Sequence, residues 1–103
     1  MNAAVASTEY DGYTDKGDDS MCTPDVSVIL VNWNGSKLLQ RALSAVYHSI
    51  QRVSYEVLVV DNASADDSVA MVQRLFPQTV LLVNEENVGF ARANNQALAM
   101  ASG

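Results

Sequence analysis

The chain has 103 residues, a formal net charge of −6, 49% hydrophobic and 17% charged residues, and a single cysteine, Cys22. That is the composition of one small globular domain. It excludes the basic face that nucleic acid requires, an internal disulfide or a cysteine metal cluster, and, with no apolar run near ~20 residues, a bilayer span.

The acidity belongs to the start. Residues 1–25 hold Glu9, Asp11, Asp15, Asp18, Asp19 and Asp25 against Lys16, whereas residues 26–103 hold six acids and five bases. Residues 1–24 are rich in Ser, Thr, Asp and Gly, have no apolar period, and read as a disordered acidic leader. The segment "MNAAVASTEYDGY" has neither the basic region nor the apolar core of a signal peptide. A lone cysteine fits a reducing compartment. A cytoplasmic location is expected, with the inner face of a membrane as the alternative for a longer parent.

The domain proper reads as residues 25–103. "VSVILVN" (26–32) is β-branched and almost wholly apolar, as in a strand covered on both faces. "NWNGS" follows as a loop with an Asn34-Gly35 turn signal. "KLLQRALSAVYHSI" (37–50) sets Leu38, Leu39, Ala42, Leu43, Val46 and Ile50 at helical spacing behind Ser36 as N-cap. A second strand, "YEVLVV" (55–60), runs into the loop "DNASADDS", where Ser64 and Asp67 have the spacing of a capping box. A helix over 67–76 stops at Pro77. "TVLLV" (79–83) is a third strand, "NEENVG" a loop, and 90–102 a third helix. Met71 and Met100 fall at core-like helical positions.

Alternating strands and helices on short connections imply right-handed crossovers and a parallel sheet. The fold class expected is α/β, a three-layer α/β/α arrangement around a Rossmann-like parallel sheet. In an order 3-2-1 the strand 26–32 stands at an edge, yet it carries none of the charges or prolines that protect edges. It reads as a central strand lacking a neighbour, so self-association through an open edge is expected.

The strand ends carry the chemistry. They read "NWNGS", "DNASADDS" and "NEENVGFARANN", all rich in Asn, Asp and Ser, and ligands of parallel sheets bind at those carboxyl ends. A turn-forming role for Asp61-Asn62 is the plain alternative. Neither G-x-G-x-x-G nor a P-loop motif occurs, which argues against a dinucleotide or phosphate cradle. What remains is a crevice that reads a base and ribose through amides and one carboxylate, with Trp33 offering a face for stacking or, equally, packing over the core edge.

These three stretches together, "VSVILVNWNG", "VLVVDNASADDS" and "NEENVGFARANNQALAMASG", resemble the opening of a family 2 glycosyltransferase of GT-A fold over residues 26–103. The form "NVGFARANNQAL" is most similar to the rhamnosyltransferase-like branch. The resemblance implies inverting glycosyl transfer from a nucleoside-diphosphate sugar, UDP- or dTDP-linked, to an acceptor hydroxyl on a glycan or lipid-linked acceptor. It places Val31, Asn32 and Trp33 around the base, has Asp61 bonding the base with Asn62 and Ala63 beside it, and sets Gly89, Arg92 and Asn95 near the nucleotide and its diphosphate. Arg92, the cation of that segment, is the natural diphosphate contact.

The resemblance also implies Mg²⁺ or Mn²⁺ in a full-length parent, held by an acidic pair at the end of a fourth strand, beyond this N-terminal half. No catalytic residue and no metal ligand is assigned within 1–103; Asp66 and Asp67 read as helix-capping residues. The fragment alone is expected to be marginal and inactive. Asp61→Ala in the parent is expected to weaken nucleotide binding with the melting temperature nearly unchanged. The alternative from another class is a non-catalytic βα module that binds a nucleotide or a partner protein.

Overall fold

A computed structural model describes the backbone of residues 2–6 and residues 24–49 and 52–101 in full. Its elements are β1 (Asn2–Ala6), β2 (Val26–Asn32), α1 (Ser36–Ser49), β3 (Tyr55–Asp61), α2 (Ser68–Leu75), β4 (Val80–Val83) and α3 (Phe90–Met100). The sheet order is β1-β2-β3-β4. Strands β2, β3 and β4 are parallel, with Val28 beside Val57, Asn32 beside Asp61, and Asp61 beside Val83.

Alternation along the strands divides the apolar residues between two layers. Val28, Leu30, Val57 and Val59 pack with Leu39 and Leu43 of α1 and with Met71, Val72 and Phe76 at α2. Ile29, Val31, Leu58 and Val60 pack on the opposite face with Ala93 and Ala97 of α3. The alanines let α3 sit close to the sheet. Each fully buried Val, Leu or Ile contributes about 1.5–3 kcal/mol relative to exposure, and β2 and β3 supply most of them. The three-layer α/β/α arrangement is therefore as expected.

Several expectations are corrected. Asn2–Ala6, inside the stretch read as a disordered leader, forms β1 and pairs antiparallel with β2, from Asn2 beside Val31 to Ala6 beside Ser27. The outer edge of β2 is thus covered, not open. "NAAVA" has little intrinsic strand preference; the unprotected edge of β2 supplies the ladder that holds it. Residues 7–23 of the proposed leader, like Ile50, lie outside the described residues. In α1, Leu38 is exposed although it was counted on the apolar face, and Met100 is likewise exposed while Met71 is buried. The capping box does not form: α2 starts at Ser68 and Asp67 makes no side-chain cap bond, while the Ser64 amide and hydroxyl that the box requires are both given to Asp61.

Candidate functional site at the strand carboxyl ends

The three strand-end loops meet around Asp61 and Asn62. Adjacent strand residues point to opposite faces, so this pair reaches both ways. Asn32 and Asp61 are neighbours in register and share the face of α1 and α2. The Asn32 Nδ2 group donates to Asp61 Oδ1 at 2.9 Å and to Ser64 Oγ at 3.2 Å. Ser64 donates its amide to Asp61 Oδ2 at 2.9 Å and its hydroxyl to Asp61 Oδ1 at 2.7 Å. The Asn34 amide donates to Ser64 Oγ at 2.8 Å, and the Ala65 amide returns a bond to Asn34 Oδ1. Loop β2–α1 is thereby stitched to loop β3–α2.

Asn62 does the same toward α3. Its Oδ1 accepts from Asn84 Nδ2 at 2.9 Å and from the Val88 amide at 3.4 Å, and its Nδ2 donates to the Gly89 carbonyl at 3.3 Å. Asn84 and Gln96 exchange a pair of amide bonds, which ties the loop to α3. Backbone bonds from the Asn62 amide to the Asn32 carbonyl and from the Asn84 amide to the Asp61 carbonyl run beneath. A strand that ends in Asp-Asn thus locks three loops together, one side chain to each face.

Backbone geometry at the rim is unusual. Asn34 (φ 53°), Ala63 (φ 67°) and Gly89 (φ 88°) all adopt left-handed conformations. Asn tolerates this region and Gly favours it; Ala63 carries a real strain there.

Asp66 joins two helix starts. Its Oδ2 accepts from the Ser36 amide at 3.1 Å, and its Oδ1 accepts from the Ser68 amide at 3.0 Å and from the Ser68 hydroxyl. Burial pushes its pKa upward, but the bonds from the Ser68 hydroxyl and amide and the Ser36 amide outweigh it. The carboxyl therefore sits below the usual Asp value. Asp66 thus caps α2, as read from the sequence, and the start of α1 as well, whereas Asp67, read as a capping residue with it, makes no side-chain cap bond. An open cleft of about 510 Å³ runs beside it, lined by Asn34, Ser36, Lys37, Gln40 and Asp67 among others.

Of the residues singled out in sequence, Asn32, Asp61, Asn62 and Gly89 come together in this network, with Ala63 shaping the turn between them. Asn32 is fully buried, Asp61 is 1% exposed and Asn62 2% exposed. Val31 faces the α3 side of the core. Trp33 is 52% exposed at the rim, and Arg92 and Asn95 are exposed on α3. Asp61 accepts three bonds in a buried turn, which argues against the expectation that its removal leaves the melting temperature nearly unchanged. Sequence reading missed Ser64, Asn84 and Gln96 as members. The Asx- and Ser-rich loops carry the signal, but apart from the local Ser64–Asp61 turn the pairings span 12 to 32 residues.

Two features bear on ligands. The Asn32 Oδ1 atom is buried without a hydrogen-bond partner among the described residues, so the site holds one unused acceptor. Among the described residues no group of three His, Cys, Asp or Glu side chains is placed to hold a metal ion. Nor is any helix among them long and apolar enough to cross a membrane.

The fold and these loops define an α/β domain with its polar site at the carboxyl ends of parallel strands. Residues 27–103 match the glycosyl transferase family 2 description, and the chain belongs to that family. It is 36% identical over 80 residues to an uncharacterized glycosyltransferase of Mycobacterium tuberculosis, covering 78% of this chain and 30% of that protein. It is 32% identical over 84 residues to the glycosyltransferase AglE of Haloferax volcanii, covering 78% and 28%. Among solved structures it is similar to the mannosyltransferase PcManGT of Pyrobaculum calidifontis in complex with GDP-Man and Mn²⁺. That likeness has a TM-score of 0.66 and 30% identity, over 100% of this chain and 28% of that one. The chain thus spans roughly a quarter to a third of these relatives.

Proposed function

We propose that residues 25–103 form the donor-nucleotide part of a glycosyltransferase, which moves a sugar from a nucleoside-diphosphate donor to an acceptor hydroxyl with inversion. The observation that carries this reading is the set of three strand-end loops locked together by Asp61 and Asn62, in a family 2 chain. A preorganised polar rim suits recognition of a base and ribose, because a fixed site loses little entropy on binding.

In this reading Asn32 and Asp61 form the floor of the base site and, buried as they are, act on the base by fixing the loop backbone that meets it. Trp33 stacks on the base from the rim, and Ala63 and Gly89 shape the loop backbone. Arg92 and Asn95 meet the diphosphate side. A divalent cation, Mg²⁺ or Mn²⁺, would be held by residues other than those described here, and in the parent it would stabilise the diphosphate as leaving group. The sequence form of the third motif favours a rhamnosyl-type donor on UDP or dTDP. The GDP-Man of the archaeal mannosyltransferase adds guanine and mannose to the candidates. A glycan or lipid-linked acceptor, in polysaccharide assembly on the cytoplasmic side, completes the proposal. The segment alone is expected to bind without turnover.

Trp33 is the one tryptophan of the chain and is exposed, so its fluorescence reports stacking directly. Titration with GDP, UDP, dTDP and CDP should quench it saturably with one base preferred. Arg92→Ala should weaken that binding by about 10- to 100-fold, the worth of a charge-assisted bond. Unchanged fluorescence with all four nucleotides at millimolar concentration would remove the reading.

A further inference from the structure

Helix α3 meets the sheet through its two buried side chains, Ala93 and Ala97, set against Ile29, Val31, Leu58 and Val60. Helix packing is specified by side-chain ridges that interlock with a partner surface, and alanine makes the shallowest ridge. Two alanines bring α3 close to the strands without fixing how far it slides along its axis or turns about it. Nor does a side chain cap its start, where Gly89 stands at the N-cap. Directional bonds supply what the packing does not.

Those bonds lead back to the end of β3. The Asn84 amide donates to the Asp61 carbonyl at 2.8 Å, so Asn84 is fixed to the sheet. Its Nδ2 donates to Asn62 Oδ1 and to Gln96 Oε1, both at 2.9 Å, and its Oδ1 accepts from Gln96 Nε2 at 3.1 Å. Asn62 in turn donates to the Gly89 carbonyl, which also accepts from the Ala93 amide in the first turn of α3. The helix is thus gripped at two points about two turns apart.

We infer that Gln96 is a positioning residue for the nucleotide site: paired with Asn84, it sets the rotation and axial position of α3 and, through them, the place of Arg92. Arg92 lies four residues before Gln96, on the same side of the helix and one turn nearer the rim. A rotation of α3 carries Arg92 and Asn95 with it. The loops after β2 and β3, tied to each other through Asp61 and Ser64, stay where they are. Gln96 is itself half-buried against Asn84 and acts through Arg92. The role of Arg92 is that of the donor reading, and the inference rests on it.

Gln96→Met tests it, because methionine keeps the length and helix preference of glutamine and removes both bonds. Hydrogen exchange by NMR on the nucleotide-free chain should show the Val88 and Ala93 amides losing at least about tenfold in protection. The amides that pair β2 with β3 should keep theirs. Trp33 fluorescence should show the best-bound nucleoside diphosphate weakened about tenfold, and no more than Arg92→Ala weakens it. In an Arg92→Ala background the same substitution should cost less than about twofold, since a group already removed cannot be displaced. Ala99→Gly weakens α3 at an exposed position outside the clasp and should leave the affinity within about twofold, which separates general loosening of the helix from loss of position. A full loss in the Arg92→Ala background, an equal loss in Ala99→Gly, or unchanged protection at Ala93 would overturn the inference with the donor reading intact. Absence of saturable binding by the parent chain would overturn the donor reading and the inference with it.

Discussion

Replacing Asp61 by Ala removes a carboxylate that accepts from the Asn32 side chain and from both the amide and hydroxyl of Ser64. Hydrogen bonds to charged groups are worth about 1.5–3 kcal/mol each, but the losses do not add fully. Asn32 Nδ2 keeps Ser64 Oγ, and the Ser64 hydroxyl can turn elsewhere; the Ser64 amide cannot. The net destabilisation expected is about 2–4 kcal/mol, less than the sum of three bonds. For a domain of this size that lowers the melting temperature on the order of 10–20 °C. Asp61→Asn should cost less, about 1–2 kcal/mol, for a specific reason. If Asn32 turns its amide over, its buried, unused Oδ1 accepts from the new Asn side-chain N–H. Urea denaturation followed by far-UV circular dichroism measures both. If Asp61→Ala lies within about 0.5 kcal/mol of the parent, the usual range for inconsequential surface changes, the network does not hold the loops. Asp61 would then be held in place only for a ligand.

The remaining predictions concern the frame around that network. Asp66 has its carboxyl pKa lowered in the folded state, so its contribution is fully present above the ordinary Asp value of ~3.9 and is lost as pH falls through the lower folded value. Asp66→Asn should flatten the acid limb of an urea-midpoint-versus-pH curve; an unaltered limb counts against the double cap. Gly89 has φ 88° and ψ 162° with open space where a Cβ would go, so Gly89→Ala should cost about 1–3 kcal/mol through backbone strain alone. Ala63→Gly should do the reverse, a gain of up to about 1 kcal/mol after the larger entropy of the unfolded glycine is subtracted; calorimetric melting of both variants decides it. Leu43→Ala, at a fully buried position between α1 and the sheet, should cost about 2–5 kcal/mol, and a loss below 1 kcal/mol in urea titration would place Leu43 outside the core.

Much of this fold was legible because β2 and β3 are short runs of β-branched and aliphatic residues bounded by Asx-rich loops, and their ends fall within a residue of the pattern. Helix α2 was legible from its period and from Pro77. Strand β1 was not: Ala-rich "NAAVA" lacks a strand's composition, and its pairing depends on an edge of β2 that lies some 25 positions along the chain. Leu38 and Met100 were misplaced because helical spacing gives a face but not its width, and only the packing partners set where that face ends.

The site was legible as a place more than as a mechanism of assembly. Asp and Asn at the ends of parallel strands pointed to a crevice, and the structure gathers Asn32, Asp61 and Asn62 in a buried network beneath the strand-end loops. Between turn and ligand, the structure shows the turn. Asp61 closes a turn with Ser64, and the same turn presents the loops at the strand ends. The turn itself is local, three residues wide, but the bonds that tie it to the loop after β2 join residues about 30 apart in sequence, and no local pattern reports those.

The most direct measurement is a ¹⁵N–¹H chemical-shift map of the 103-residue chain titrated with GDP, UDP and dTDP, each with and without Mn²⁺'s diamagnetic substitute Mg²⁺. Binding at the strand carboxyl ends should move the amides of Asn32 to Asn34, Asn62 to Ala65 and Val88 to Asn95, and leave the far ends of β2 and β3, Val26 and Tyr55, in place. Shifts confined to the outer surfaces of α1 and α2, or no saturable shift with any nucleotide, would contradict the assignment of these loops to the donor.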